Sequence, residues 1–311
     1  MTIGELGEFG FIARVIAGLG DAPDIVVGPG DDAAVVRAPD GRVVVTTDMY
    51  VEGRHFRRDW STAHEIGRRV VAAGLADIAA MGANATSVLV ALGASPDLPT
   101  EWADELTAGL RDECAEVGAV VVGGDVVRSD PMVLTVTALG DLGGREPVTR
   151  AGARPGDVVA VRGRLGWSAA GLAVLSRGFR TPRVLVEAHR RPTPPYAAGP
   201  QAADAGATAM CDVSDGLVQD LGHIAAGSGV AIDVMSAAFE VPAPFEQVAA
   251  ALGGADPLQW VLAGGEDHAL AATFGDGDVP DGWQVVGRVA EGTGVTVDGE
   301  PYEIPSWDSF R

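Results

Sequence analysis

Short apolar runs rich in β-branched residues recur along the chain, each bounded by glycine, proline or charge. They are "RVVVTTD" (Arg42 to Asp48), "TSVLVALG" (Thr86 to Gly93), "GAVVVGGDVV" (Gly118 to Val127), "PMVLTVTALGDL" (Pro131 to Leu142) and "GDVVAVRG" (Gly156 to Gly163). Runs of this length and make-up predict buried strands. Between them the apolar spacing lengthens to that of a helix. One helix is predicted from Ser61 to Met81, with Thr62 and Glu65 as a capping box and Gly82 as its stop. A second is predicted from Glu101 to Val117, and a third begins just after Ser214 with Leu217, Leu221 and Ile224 on one face. The Gly-, Pro- and Arg-rich stretch from Gly143 to Asp157 is the expected domain junction, and Arg190 to Pro200 reads as a loop inside the second domain. No repeat of fixed period is present. The expectation is therefore two α/β or α+β domains, over 1–145 and 146–311, rather than a sandwich.

Composition adds constraints. The 311 residues are 47% hydrophobic, enough for full cores. Against 43 acidic residues stand 22 basic ones, a net charge of -21, which argues against nucleic acid or an anionic membrane as partner. All the basic residues are arginine. Without lysine there is no P-loop, no protein-kinase strand lysine and no Schiff-base chemistry. Cys114 and Cys211 are single and lie in apolar surroundings, as expected of buried reduced thiols. The first twenty residues carry Glu5, Glu8 and Arg14 and do not read as a signal peptide, and no apolar run reaches membrane-spanning length. A soluble, cytoplasmic protein is expected.

The acidic residues occupy telling places. Asp31 and Asp32 are adjacent in "VVGPGDDAAVV", where two charges about 4 Å apart repel by roughly 4 kcal/mol near a protein surface. A solvated turn or a bound cation would relieve that. Asp48 ends a strand-like run after Thr46 and Thr47, and Asp125 follows Gly123 and Gly124, glycines that let backbone approach a ligand. Asp212 and Asp215 bracket Ser214 where a helix starts. Each alone also reads as a turn residue or helix cap. Asp77 shares a helix side with Ile66, Val70 and Met81, so it needs a partner, for which Arg69 is one option and a cation another. Taken together these carboxylates favour Mg²⁺ held by one or two side chains each and completed by phosphate oxygens, and so a nucleotide site.

In order along the chain stand "ELGEFGFIARV", "GPGDDAAVV", "TTDMYVEGRHF", "ADIAAMGA", "VVGGDVVRS", "VTRAGARPGD", "CDVSDGLVQDLGHI", "LAGGEDHAL" and the terminal "SWDSF". In these the chain resembles the thiamine-monophosphate kinase family, within the larger group of ATP-dependent enzymes similar to aminoimidazole ribonucleotide synthetase. The resemblance implies an N-terminal domain that binds ATP and magnesium and supplies strands to a homodimer interface, and a C-terminal domain that closes over substrate. It implies several Mg²⁺ ions on Asp32, Thr46, Thr47, Asp48, Asp77, Asp125, Asp212 and Asp215. ATP would meet Gly124, Asp125, Arg150 and Ser214, and thiamine monophosphate would meet His55, Glu266 and Trp307. Asp48, Asp125, Arg150 and Asp215 would form the catalytic set. The pattern departs at Gly74 and Ala76, where Asn and Ser are usual, and at Val117, where an aromatic is usual. Other members of the wider group, amidine-forming synthetases and hydrogenase-maturation dehydratases, share the aspartates, and a non-catalytic metal- or nucleotide-binding protein remains the reading outside enzymes.

Overall fold

The computed structural model describes residues 1–20, 22–27, 34–254 and 256–302. Their contacts divide into two compact units, Met1–Ile78 with Ala83–Gly144, and Ala79–Gly82 with Arg145–Arg311.

The first unit opens with helices α1 (Ile3–Leu6) and α2 (Glu8–Ile16) and a two-stranded ribbon of β1 (Ile25–Val27) and β2 (Val35–Val36). Then follow β3 (Val44–Val51), α3 (Ala63–Ala80), β4 (Asn84–Ala94), α4 (Thr100–Ala115), β5 (Val120–Arg128) and β6 (Val133–Asp141). The four longer strands form one sheet in the order β3-β6-β4-β5, antiparallel except for the parallel pair β4–β5. The capping box of α3 forms as expected: Thr62 N–H donates to Glu65 Oε2 at 2.8 Å, and Glu65 N–H to Thr62 Oγ1 at 3.2 Å. Gly82 stops the chain in the left-handed region at φ 76°.

One face of this sheet is covered and the other is not. Leu134, Val136 and Ala138 of β6 are fully buried, and a Cβ placed on Gly74 of α3 would stand 3.2 Å from Ala138. In the alternate rows of the same strands, Val45 and Met49 of β3 are 63% and 61% exposed. Strand alternation explains the split, since successive side chains point to opposite faces.

The second unit holds β7 (Val158–Arg162), α5 (Trp167–Ser176), α6 (Arg183–Arg190), α7 (Ala198–Asp204), β8 (Ala209–Val213), α8 (Leu217–Ser228), β9 (Ala231–Val234), α9 (Ala243–Ala251), α10 (Leu258–Ala263), β10 (Ala269–Phe274), β11 (Gln284–Ala290), β12 (Gly294–Val297) and β13 (Glu300–Pro301). Its seven-stranded sheet runs β13-β12-β9-β11-β7-β10-β8. β8 and β10 are buried at every residue, which is why "AMCDV" and "ALAATF" show no alternation. Edge-to-face aromatic contacts, Phe274 on Trp283 at 5.4 Å and Phe245 against both Trp167 and Trp260, fill its core. Cys114 and Cys211 are buried and free, and burial lifts the Cys114 thiol to about 12 and Cys211 well above its ordinary value. Such thiols are inert at neutral pH. Among the described residues no helix is long and apolar enough to cross a membrane.

Candidate active site

In the first unit the expected residues separate by sheet face. Thr46 and Asp48 lie on the covered side of β3, where Thr46 Oγ1 donates to Asp77 Oδ2 at 2.7 Å. A Cβ on Gly74 would stand 3.8 Å from Asp48 Oδ2, so Asp48 packs against the same helix that carries Asp77. Thr46, Asp48 and Asp77 are thus one group, and the helical side read for Asp77 is the side that meets β3. Thr47 is not part of it. Its hydroxyl points to the other face, where it donates to Val136 O at 3.2 Å and meets Thr137 Oγ1 at 3.0 Å.

Asp125 is also on the other side. It pairs in register with Ala91, Ala91 with Thr135 and Thr135 with Met49, the row that alternates with Asp48. The register irregularity between Val88 and Leu89, where β5 holds one extra residue against β4, decides this. Gly124 beside it has a structural duty that differs from the one expected of it: a Cβ there would sit 1.8 Å from Val90 O, so the neighbouring strand itself demands glycine. Gly123, Gly124 and Asp125 line one part of a pocket of about 780 Å³ that is otherwise mostly apolar, bounded by Phe11 and Ile12 of α2 and Leu106 of α4. Its size is that of small-molecule sites.

His55 follows the end of β3 in a tight turn. Its Nδ1 accepts from Val51 N–H at 3.0 Å, and its ring stands edge-on to Tyr50. The neutral ring therefore carries its hydrogen on Nε2, which is left for other contacts. Asp31, Asp32 and Trp307 lie outside the described residues.

In the second unit the expected residues do gather. Asp212, on fully buried β8, accepts from His268 Nδ1–H at 3.1 Å. Ser214, Asp215 and Gly216 form the turn into α8. The carboxylate of Asp220, one turn into that helix, accepts from the N–H groups of Asp215 and Gly216 at 3.0 Å each. Glu266 N–H donates to Ser214 O at 2.8 Å and His268 N–H to Val213 O at 3.1 Å, which seats the "GGEDH" loop against that turn. Close approach makes Gly265 obligatory, since a Cβ there would lie 2.2 Å from Ser214 O. Glu266 and His268 both adopt the left-handed region, at φ 68° and 53°. A side chain in that region costs about 1–2 kcal/mol, and such residues cluster where function holds them.

The electrostatics of this cluster are unusual. Burial, then Glu266 and Asp212, push the Asp215 carboxyl above its ordinary range, while His223 and Arg150 pull it back. Asp220 is lifted to about 7 by burial and by Asp212. Burial also lifts Asp267 to about 7, against the pull of the Ser168 N–H, Arg164 and His268. Carboxylates that raise one another in this way make the turn a candidate functional site. Among the described residues no three His, Cys, Asp or Glu side chains stand close enough to enclose a metal by themselves. Such donors suit Mg²⁺, which is held by one or two carboxylates and keeps water and substrate phosphates in its shell; they do not suit zinc.

Residues 30–142 match the family model described as AIR synthase related protein, N-terminal domain, and residues 154–300 match AIR synthase related protein, C-terminal domain. Thiamine-monophosphate kinase of Mycobacterium tuberculosis is 49% identical over 311 residues, covering 99% of this chain and 93% of that one. This chain belongs to the thiamine-monophosphate kinase family. The relative from Corynebacterium glutamicum is 42% identical over 321 residues, with 99% and 95% covered. Among solved structures, that of AaThiL complexed with AMPPCP and TMP superposes with a TM-score of 0.82 at 32% identity, covering 100% of this chain and 99% of the other. Hydrogenase maturation protein HypE superposes at 0.74 with 17% identity, covering 97% and 98%, a likeness of fold alone.

Four residues around the family's SDG and GGED motifs were not singled out by the sequence: Asp220, His223, Asp267 and His268. Helical spacing was a usable signal for Asp220, which sits four residues beyond Gly216 and so under the turn it caps. No local signal joins His268 to Asp212, because the antiparallel pairing of β10 with β8 brings them together from 56 residues apart.

Proposed function

We propose that this chain transfers the γ-phosphoryl group of ATP to thiamine monophosphate, yielding ADP and thiamine diphosphate in thiamine biosynthesis. The observation that carries the reading is the full-length identity to curated thiamine-monophosphate kinases, 49% for the relative from Mycobacterium tuberculosis. The structure of AaThiL with AMPPCP and TMP supports both substrates.

The accepting phosphate oxygen is already ionised at neutral pH, so the reaction needs no general base. Catalysis is a matter of aligning two polyanions and offsetting their charge. Mg²⁺, when bound, supplies most of that offset by withdrawing charge from phosphate oxygens. Several such ions would be held, by Thr46, Asp48 and Asp77 within the first unit and by Asp212 and Asp215 within the second. Asp125, from the other sheet face, meets the nucleotide together with Gly124. Arg150, whose charge is felt at Asp215, offsets phosphate charge, and Ser214 contacts ATP at the same turn. Thr47, with its hydroxyl turned away from Asp48, contributes its main chain. His55, through Nε2, and Glu266 bind the thiamine phosphate, as does Trp307; Asp32 joins the magnesium set.

The enzyme works as a homodimer and, on this reading, in the cytoplasm. Support for the dimer comes from the uncovered sheet face, where Val45, Met49, Leu89 and Val127 expose 63%, 61%, 37% and 55% of their surface. An apolar sheet face of this kind is ordinarily covered by a partner. The test is to incubate the protein with ATP, Mg²⁺ and thiamine monophosphate and follow thiamine diphosphate, with Asp48→Asn and Asp215→Asn alongside. Formation of product by the parent and its loss in both variants is expected; well-folded protein that makes no product rejects the assignment.

A further inference from the structure

The loop Gly264–His268 is held from two sides. On one, the main chain of Glu266 and His268 is tied to Ser214 and Val213. On the other stands Asp267, between the two left-handed residues. Its side chain is buried, 4% exposed, at the start of α5, where Oδ1 accepts from Ser168 N–H at 3.0 Å. Helix α5 follows Gly166, which offers no capping side chain, so a carboxylate from 99 residues away serves as its cap. The junction is tight, since a Cβ on Gly264 would meet Trp260 O at 2.3 Å and Gly166 Cα at 3.2 Å. The loop has little room to relax if its anchor is lost.

We propose that Asp267 is a positioning residue: anchored on the N-terminus of α5, it keeps the loop in its left-handed form and so aims Glu266 at the substrate and His268 at Asp212. This rests on the assignment of Glu266 to thiamine monophosphate. A cap that served α5 alone would not need to lie between two residues of strained backbone.

The test compares Asp267→Ala, Asp267→Asn, Glu266→Gln and the double variant Asp267→Ala/Glu266→Gln, by steady-state kinetics with each substrate varied and by thermal melting. Asp267→Ala is expected to raise KM for thiamine monophosphate about tenfold while changing KM for ATP by less than about threefold. Asp267→Asn, which keeps an acceptor for Ser168, is expected to restore KM to within about threefold of the parent. The double variant should be no worse than Glu266→Gln, since both act through one side chain. If the alanine variant does not fold, Asp267→Glu carries the same test. It keeps the charge but is one methylene longer, and a raised KM supports the proposal while an unchanged one overturns it. A lowered melting temperature with KM unchanged, or additive effects in the double variant, overturns it too. If Glu266→Gln leaves KM unchanged, the substrate role of Glu266 fails and takes this route with it. If Glu266→Gln raises KM and Asp267→Ala does not, the proposal for Asp267 alone is overturned.

Discussion

In the first unit, three carboxylates meet a cation or a hydroxyl. Glu113 lies 2.5 Å from Arg68 Nε, Asp104 is paired with Arg14, and Asp77 takes the Thr46 hydroxyl. At the turn into α8 of the second unit, carboxylates meet one another. Asp212 and Glu266 both push Asp215 upward, and Asp212 and Asp215 push Asp220. The pairings of Glu113 and Asp104 are what stability alone produces. The gathering at the turn costs stability, because buried like charges repel strongly at low dielectric. The difference teaches where to look for chemistry: a fold that gathers anions without enough cations of its own has left room for positive charge from outside.

If the units differ in this way, substitutions should separate them. Asp215→Asn should lower thiamine diphosphate formation by about a hundredfold or more while raising the melting temperature, because it removes a repelled charge. Asp48→Asn should cost as much activity with no such gain. A melting temperature that falls in Asp215→Asn would erase the distinction. Next in size, Val45→Glu with Met49→Glu should convert a dimer into monomers in sedimentation velocity while leaving the second unit folded. A sedimentation coefficient that does not change would refute the covered-face reading. Gly124→Ala should follow, destabilising the first unit by about 2–4 kcal/mol in urea titrations, since its Cβ would collide with Val90 O at 1.8 Å.

The pH dependence of stability is smaller but separates the units by sign. Asp104, held low by Arg14, contributes stability above its ordinary range and loses it as pH falls. Asp267 does the reverse. Its carboxyl moves from 3.8 to about 7 on folding, so over that window the native state keeps a proton that the unfolded chain has lost. Unfolding free energy should therefore decline as pH rises from about 4 to about 7 and then level off. Calorimetry should show that decline flattened in Asp267→Asn. The groups facing Asp267, namely the Ser168 N–H, Arg164, His268 and the Trp167 N–H, oppose the rise without cancelling it. Smallest of all, Arg57→Ala, which breaks an exposed pair with Asp59 at 2.8 Å, should leave the melting temperature unmoved.

Much of this was legible in the letters. The β-branched runs became β3 to β7, shifted by one to three residues at their ends, because buried strands have no other way to be written. Thr62, Glu65 and Gly82 marked the ends of α3, and helical spacing correctly placed Asp77 on the side that meets its partner. What the letters could not show was the face on which a strand residue falls after a register irregularity. Asp48 and Asp125 look equivalent as strand-end aspartates, yet one such irregularity, the extra residue that β5 holds against β4, puts them on opposite sides of the sheet. The strained loop was hidden for another reason. Nothing in "GGEDH" marks Glu266 and His268, rather than the glycines, as the residues taking positive φ.

That loop has a consequence for how the sequence tolerates change. Judged on conformation alone, positions 266 and 268 belong to glycine or asparagine, and a library screened only for thermal survival should drift toward them. A library selected for growth that depends on the enzyme making its own product should hold Glu266 against that drift. The two screens would diverge at these positions and agree at Gly265, where the close approach of Ser214 O leaves both with a single answer.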